Sequence, residues 1–224
     1  MVIRVMPEFT GDNRLMFITH KTSEYDEIEE VKMAIEGGCS WVQLRMKEHY
    51  DKLVARKCRL LCGEAGREVV FCVNDYPAGA LEAGATACHL GKNDIAIDEA
   101  WKIVDEKLMP SQTFYIGATA NSFEDIKLSC SLGASYIGLG PYRYTTTKSK
   151  LSPILGLEGY REIVSNCRAE GINIPIFAIG GITLEDVGPL METGVTGLAV
   201  SGAIINADDP VAQTRRFIEE INKY

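Results

Sequence analysis

The sequence predicts a (β/α)8 barrel, the TIM-barrel fold of the α/β class, formed by residues 1–224 as a single domain. Short runs rich in β-branched and aromatic residues alternate with amphipathic stretches along the whole chain. Eight strand–helix units of about 28 residues would use all 224 residues, and no linker rich in Pro, Gly or Ser interrupts them. A doubly wound open sheet is the alternative that the same alternation permits.

One short sequence motif, a Gly among small residues, recurs before four of the predicted strands. Its copies span residues 36–41, 82–87, 131–136 and 192–197. Each copy is typical of a helix that ends at a glycine in the left-handed conformation and continues through a short loop into a strand. Four copies of one connection indicate repeated units, which favours the barrel.

The elements follow in order along the chain. Strands are predicted at residues 15–19, 41–44, 69–73, 87–89, 114–117, 136–139, 174–178 and 197–200. Helices are predicted at residues 25–36, 50–65, 77–83, 95–108, 123–132, 157–170, 184–193 and 211–223. Because active sites of such barrels lie at the carboxyl ends of the strands, the residues that follow each strand are the candidates for function.

The composition limits the partners. A hydrophobic content of 46% supports one sizeable core, and the net charge of -8 argues against nucleic acid or an anionic membrane as the main partner. No apolar run approaches the ~20 residues of a membrane span, and the N-terminus has no signal-peptide pattern, so we expect a cytoplasmic protein.

The seven Cys form no CxxC pair, and we expect them to be reduced residues of the core. The sequence is compatible with a homo-oligomer and does not fix the number of subunits.

The exit of the second strand carries three hydrogen-bonding side chains. Because side chains alternate along a strand, Gln43, Arg45 and Lys47 are predicted to point the same way. Arg offers a bidentate fork for phosphate, so we interpret this exit as an anion site. A cluster of surface salt bridges is the alternative.

Acidic side chains follow the next two strands. Asn74 and Asp75 come after the third strand, His89 ends the fourth strand, and Asp94 follows it. Two carboxylates beside a cationic cluster suit Mg2+ bridging a diphosphate, since Mg2+ takes one or two carboxylates together with phosphate oxygens and water. Turn residues and helix N-caps are the alternative interpretation of both acids. We expect His89 to pack in the barrel mouth.

The remaining exits are rich in small, polar and glycine residues. Thr119 and Asn121 follow the fifth strand, where they either line a ligand or cap the next helix. The loop after the sixth strand runs to about residue 156, longer than an ordinary connection of 2–6 residues, and is interpreted as a lid over phosphates, or else as a flexible loop. The last two exits carry Gly181, Ser201 and Gly202, which predict a main-chain phosphate cradle. Two anion sites at one mouth favour two phosphorylated small-molecule substrates.

Several of these exits match, in order, the motifs of a known family. The motifs are residues 43–47 (Gln-Leu-Arg-Met-Lys), 73–75 (Val-Asn-Asp), 89–94 (His-Leu-Gly-Lys-Asn-Asp), 136–141 with 145–148, and 178–182. On these motifs the chain resembles the thiamine-phosphate synthase (thiamine-phosphate pyrophosphorylase) family over nearly its whole length. The resemblance implies a transferase that joins hydroxymethylpyrimidine diphosphate to thiazole phosphate and gives thiamine phosphate and pyrophosphate.

The resemblance also implies roles for individual residues. It implies that the diphosphate is held by Arg45, Lys47, Asn74 and Lys148. It implies that Mg2+, the one expected cofactor, is bound by Asp75 and Asp94, and that Gln43 and Thr119 lie near the pyrimidine and its leaving group. It implies that the thiazole phosphate is held by Thr145, Thr147, Gly181, Ser201 and Gly202. The expected catalytic set is Arg45, Lys47, Thr119 and Lys148.

The family's reaction is regarded as dissociative, and that chemistry suits the residues present. Pyrophosphate leaves first, the electron-rich aminopyrimidine stabilises the cationic methylene group, and the thiazole nitrogen captures it. Such a reaction needs neutralised leaving-group charge and a positioned second substrate rather than a protein nucleophile.

The chain departs from the family's pattern at two neighbouring positions. Thr119 stands where Ser is common, which keeps a hydroxyl, and Asn121 stands where His is common. Asn cannot shuttle a proton at neutral pH, which argues against the related thiazole tautomerase activity. A tautomerase-like isomerase and a non-catalytic phosphate-binding barrel are the alternative functions.

Overall fold

A computed structural model describes residues 2–4, 9–46, 49–144 and 153–224. Within them, eight parallel strands close into a barrel in chain order, from β1 next to β2 round to β8 next to β1. The strands are β1 Leu15–Ile18, β2 Trp41–Leu44, β3 Val70–Asn74, β4 Ala87–Leu90, β5 Tyr115–Ala120, β6 Tyr136–Leu139, β7 Ile176–Ile179 and β8 Gly197–Val200. The predicted barrel is confirmed, and the open-sheet alternative is wrong.

Helices follow the strands and surround the barrel. The α-helices are α1 Glu27–Glu36, α2 Lys52–Gly63, α3 Pro77–Ala83, α4 Ile97–Lys107, α5 Phe123–Ser131, α6 Gly156–Ala169, α7 Val187–Glu192, α8 Gly202–Ile205 and α9 Pro210–Ile221. Short 3-10 helices span Gly11–Arg14 and Leu184–Asp186. None of the helices in the described residues is long and apolar enough to cross a membrane.

The four copies of the recurring sequence motif adopt the conformation that the sequence predicts. Gly38, Gly84, Gly133 and Gly194 follow α1, α3, α5 and α7 with φ angles of 98°, 75°, 90° and 90°. A left-handed φ is easy for glycine and costly for residues with a Cβ, so these glycines end their helices and turn the chain toward the next strand.

The barrel interior is filled below its mouth by large side chains. Trp41, Tyr136 and Phe177 are fully buried and pack ring against ring, with centroids 5.0 Å apart for Trp41–Tyr136 and 5.3 Å for Trp41–Phe177. A larger apolar cluster lies between the strands and the surrounding helices. All seven Cys are free thiols, as expected, and only Cys130 is partly exposed. The aromatic layer thus fills the barrel interior below the carboxyl ends of the strands.

Candidate active site

A cavity of about 520 Å³ opens at the carboxyl ends of the barrel strands. Every predicted site residue that the structure describes lines it, and these are Gln43, Arg45, Asn74, Asp75, Asp94, Thr119, Gly181, Ser201 and Gly202. The parallel order of the strands explains the convergence, because their carboxyl ends meet on one face of the barrel. Four further predicted residues, Lys47, Thr145, Thr147 and Lys148, lie outside the described residues, as does most of the predicted lid, and their roles stay predictions.

Gln43 and Arg45 both face this cavity, as the alternation of the strand predicts. Gln43 is only 3% exposed, and its Nε2 donates to Oδ1 of Asn74 at 2.6 Å. The main-chain N–H of Arg45 donates to the hydroxyl of Thr19 at 2.8 Å, which fixes the chain just after β2. The side chain of Arg45 lines the cavity instead of joining a surface salt-bridge cluster with the described residues.

Three side chains of the cavity carry a buried polar atom that has no hydrogen-bond partner among the described residues. The atoms are Oε1 of Gln43, Nη1 of Arg45 and Oγ of Ser201. A buried polar group without a partner costs roughly 1–3 kcal/mol, more if it is charged, and such groups are rare in folded proteins. One acceptor, one cationic donor and one hydroxyl therefore face a space where a polar, anionic ligand would satisfy them.

Asp75 and Asp94 form a carboxyl pair at the edge of the cavity. Desolvation by the surrounding protein, followed by a hydrogen bond and repulsion from Asp94, raises the pKa of Asp75 to about 6. Asn74 and Arg45 act in the opposite direction, and the Nδ2 of Asn74 donates to the Asp75 carboxyl. Two acids that interact this closely favour a bound cation, because a cation stabilises both in their ionised forms.

Neither acid caps a helix. The N-cap of α3 is Tyr76 and that of α4 is Ala96, so the N-cap interpretation of Asp75 and Asp94 is wrong. Asp75 has a φ of 66°, unusual for a residue with a side chain, and its N–H donates to the carbonyl of His89 at 2.8 Å. Asp94 accepts the N–H of Gly91 at 2.6 Å. Backbone contacts thus hold both side chains in the exits of β3 and β4.

The chemistry of this carboxyl pair fits Mg2+. No set of three or more His, Cys, Asp or Glu that could hold a metal occurs in the part of the chain that the structure describes. Two carboxylates do not complete the coordination of a cation, and Mg2+ commonly takes its remaining ligands from phosphate oxygens and water. The pair is therefore suited to a metal that arrives with a phosphorylated ligand.

Thr119 lies inside β5 rather than after it, because β5 continues to Ala120, three residues beyond its predicted end. Its Oγ1 lies 3.1 Å from Nε2 of His89, which lines the cavity as expected. Asn121 donates its side-chain amide to the carbonyl of Gly140. The N-cap of α5 is Ser122, so neither Thr119 nor Asn121 caps that helix.

The exits of β7 and β8 form the opposite wall of the cavity. Gly181 has a φ of 67°, and a Cβ there would stand 2.5 Å from Cγ of Arg143 and 2.8 Å from the carbonyl oxygen of Tyr144. The glycine is thus required by the close approach of the chain after β6. Ser201 is the N-cap of α8 and Gly202 its first residue. The sequence did not predict this helix because four residues are too short to show a helical period.

Sequence reasoning missed two ion pairs near the cavity. Arg143 forms an ion pair with Asp186, whose other carboxylate oxygen accepts the N–H and hydroxyl of Thr183 at 2.8 Å each. The spacing Thr183-x-x-Asp186 is a capping-box pattern and could have drawn attention to Asp186. Lys92 lines the cavity and pairs with Asp125 at 2.8 Å.

A second, smaller cavity of about 290 Å³ lies near the amino ends of β3 and β5. The two arginines that line it donate hydrogen bonds to main-chain carbonyls of neighbouring segments. Nε of Arg59 donates to the carbonyl of Gly84 at 2.8 Å, and Nη2 of Arg67 donates to the carbonyls of Ile35 at 2.6 Å and Cys39 at 3.0 Å. These arginines bind main-chain carbonyls, so this cavity offers a poor anion site.

Comparisons with known proteins agree with the fold and identify a family. The model of a family described as thiamine monophosphate synthase matches residues 15–204. A thiamine-phosphate synthase of Bacteroides fragilis is 47% identical over 207 residues, which cover 91% of this chain and 98% of that protein. One of Flavobacterium johnsoniae is 42% identical over 214 residues, which cover 94% and 95%. The solved structure of a thiamine phosphate pyrophosphorylase from Pyrococcus furiosus aligns with a TM-score of 0.81 and 30% identity, covering 95% of this chain and 97% of that chain.

Proposed function

The chain belongs to the thiamine monophosphate synthase family, whose members are transferases, and we propose on this premise a specific reaction and mechanism for it. The protein condenses hydroxymethylpyrimidine diphosphate with thiazole phosphate in a Mg2+-dependent reaction, and releases thiamine phosphate and pyrophosphate. The observation that carries the proposal is the set of three buried polar atoms, on Gln43, Arg45 and Ser201, that face one cavity and lack partners among the described residues.

The exits of β2, β3 and β4 supply the diphosphate side of the site. Arg45 and Asn74 hold the diphosphate, together with Lys47 and Lys148, whose positions lie outside the described residues. Asp75 and Asp94 would hold Mg2+. When bound there, Mg2+ supplies positive charge next to the leaving diphosphate. Arg45 contributes to the same neutralisation, since its guanidinium is permanently charged and lines the cavity.

The deeper part of the site holds the pyrimidine. Gln43 is almost fully buried and is braced by Asn74, so its amide oxygen offers a fixed acceptor for the exocyclic amine of an aminopyrimidine. Thr119 also lines the cavity and offers a hydroxyl, which lies 3.1 Å from Nε2 of His89. The aromatic layer of Trp41, Tyr136 and Phe177 excludes water from below. A dry floor favours a reaction in which the methylene cation must meet the thiazole nitrogen before it meets water.

The exits of β7 and β8 hold the second substrate. Gly181, Ser201 and Gly202 line the cavity opposite the carboxyl pair, and the Ser201 hydroxyl lacks a partner among the described residues. We assign the thiazole phosphate to this wall, with Thr145 and Thr147 as additional ligands outside the described residues. The chemistry then needs no protein nucleophile. It needs two substrates held face to face, which one open cavity of about 520 Å³ can accommodate.

A two-substrate assay tests the proposal. Purified protein is incubated with both phosphorylated substrates, with Mg2+ or with excess chelator, and thiamine phosphate is measured as fluorescent thiochrome. We expect product only when Mg2+ is present. No product under any condition would reject the function, and equal product with and without Mg2+ would reject the metal requirement. Thiazole phosphate alone serves as the control for an isomerase, which Asn121 does not favour because an amide cannot exchange a proton at neutral pH.

A further inference from the structure

A line of buried polar side chains runs from the barrel core to the cavity floor. The hydroxyl of Tyr136 lies 3.6 Å from Sγ of Cys72 and 3.3 Å from Nδ1 of His89. On the other side of the imidazole, Nε2 of His89 lies 3.1 Å from Oγ1 of Thr119, which lines the cavity. Cys72 and Tyr136 are fully buried and His89 is 7% exposed. The line therefore connects Thr119 to groups that no ligand touches.

The strand register brings these groups together. His89 in β4 pairs with Gly117 in β5, and Gly117 pairs with Tyr136 in β6. A Cβ on Gly117 would stand 2.1 Å from Cζ of Tyr136. Because Gly117 has no side chain, the Tyr136 ring lies across β5 and reaches His89. Trp41 and Phe177 pack against the same ring, with centroids 5.0 Å and 6.0 Å away, and hold it in place.

The relative strengths of the acceptors around Tyr136 determine which neighbour its hydroxyl donates to. The Tyr136 hydroxyl has one proton and two neighbours, an imidazole nitrogen and a thiol sulfur. An imidazole nitrogen is a much better acceptor than sulfur, so the proton is directed at Nδ1 of His89. Cys72 keeps its own proton, since burial raises the pKa of this thiol to about 12, and the S–H can point to the Tyr136 oxygen or to the Val73 carbonyl at 3.8 Å. Neither choice changes the direction at Tyr136.

We propose that Tyr136 is a positioning residue that fixes the His89 tautomer and thereby makes Thr119 a hydrogen-bond donor to the substrate. With Nδ1 occupied as an acceptor, the neutral imidazole carries its proton on Nε2 and donates it to Oγ1 of Thr119. The Thr119 hydroxyl then has its own proton left for the cavity. The reverse tautomer would turn the Thr119 proton toward His89 and present only lone pairs to the ligand.

This inference rests on the proposed function for its consequence in catalysis, though the tautomer itself does not depend on it. When the bond between the methylene carbon and the diphosphate oxygen breaks, the leaving oxygen gains negative charge. A hydroxyl that already points its proton at this oxygen stabilises the transition state more than the ground state. A hydroxyl that must first rotate away from His89 would lose part of that gain.

Nitrogen NMR of the histidines tests the tautomer directly. The chain has three His, so protein labelled with 15N-histidine gives few signals, and loss of one set in His89→Gln assigns His89. At pH 8, with no substrate present, we expect a protonated Nε2 and an unprotonated Nδ1 in the wild type. A proton on Nδ1 of neutral His89, or on both nitrogens, would overturn the proposal. This measurement works whether or not the protein makes thiamine phosphate. It therefore separates failure of the proposed His89 tautomer from failure of the proposed function.

Tyr136→Phe, with Tyr160→Phe as the matched control, tests the role of the hydroxyl. Tyr160 is also fully buried, but its hydroxyl donates to the carbonyl of Leu139 and not to His89. We expect Tyr136→Phe to shift the His89 signals toward a mixture of tautomers and to lower kcat about 10-fold with little change in KM. Tyr160→Phe should leave the His89 signals unchanged. If the His89 signals are unchanged in folded Tyr136→Phe protein, or shift equally in Tyr136→Phe and Tyr160→Phe, the Tyr136 hydroxyl does not fix the His89 tautomer.

Discussion

The guanidinium of Arg143 lies 2.6 Å from the carboxylate of Asp186, and this ion pair joins the chain after β6 to the chain after β7. The main chain reinforces the contact, because the N–H of Arg143 donates to the carbonyl of Gly180 at 3.0 Å. Asp186 is in turn fixed by Thr183. The beginning of the loop after β6 is thus held against the wall that we assign to the thiazole phosphate.

Arg143→Ala is expected to lower kcat/KM for thiazole phosphate about 10-fold, because the loop after β6 would lose its side-chain anchor and position the second substrate less well. The measurement is steady-state kinetics with the diphosphate substrate at saturation. Arg161→Ala is the control, since Arg161 pairs with Glu158 on the exposed face of α6. Equal kinetics in the two variants would show that the Arg143–Asp186 pair does not position this substrate.

Asp75→Asn and Arg45→Ala are each expected to lower turnover at least ~100-fold, which is the scale of losing one preorganised electrostatic contact. Asp75→Asn removes a negative charge that would hold Mg2+, and Arg45→Ala removes a positive charge that lines the cavity. Turnover is measured by the thiochrome assay at saturating substrates. Asp98→Asn, in the first turn of α4, is the control and should keep normal turnover. Near-normal turnover in both site variants would reject their assigned roles.

Magnesium and inorganic pyrophosphate are expected to raise the melting temperature together by more than the sum of their separate effects. Asp75 and Asp94 provide two carboxylates, and pyrophosphate oxygens would complete the coordination of Mg2+. The measurement is a thermal shift assay with each ligand alone and with both. Asp94→Asn should lose the cooperative part of the shift and Asp98→Asn should keep it. A purely additive shift in the wild type would argue against a shared metal–diphosphate site.

The barrel and the cavity walls could be predicted from the sequence because both depend on chain order. β2, β6 and β8 begin and end where predicted, and the runs of β6 and β8 stop at the turn residues Gly140 and Ser201. β5 extends three residues beyond its predicted end, because Ala118 and Ala120 have a low strand propensity that gives no signal of a strand. Pairing with β6 extends this strand, and Thr119 pairs with Gly138.

Side-chain contacts between distant elements could not be predicted in the same way. The contact between His89 and Tyr136 depends on the relative register of β4, β5 and β6 and on the missing side chain of Gly117. The Arg143–Asp186 pair depends on how two loops approach each other. Composition and spacing along one chain carry no information about such register, although they do place residues at the ends of strands.

Glu30→Gln is expected to change the pH dependence of stability, because Glu30 is a buried carboxyl on α1. Burial raises the pKa of Glu30 from 4.5 to about 7, against hydrogen bonds from the main chain of His20 and Lys21 that lower it. Between these pH values the unfolded chain releases a proton that the folded protein keeps. The stability contributed by this group is therefore complete below pH 4.5 and is lost as the pH rises through about 7.

The size of this effect is on the order of 3 kcal/mol, and it is absent from the Gln variant. The free energy of unfolding of Glu30→Gln, relative to the wild type, should therefore rise by that amount between acidic and mildly alkaline conditions. Urea unfolding of both proteins at about pH 4.5 and pH 8 measures it. Glu24→Gln, which removes an exposed carboxylate before α1, is the control and should change by less than about 0.5 kcal/mol. If the difference between Glu30→Gln and the wild type is the same at both pH values, Glu30 does not bind its proton more tightly in the folded protein. The conformation of the chain after β1 would then be held by an ionised carboxylate that accepts the N–H of His20 at 2.7 Å.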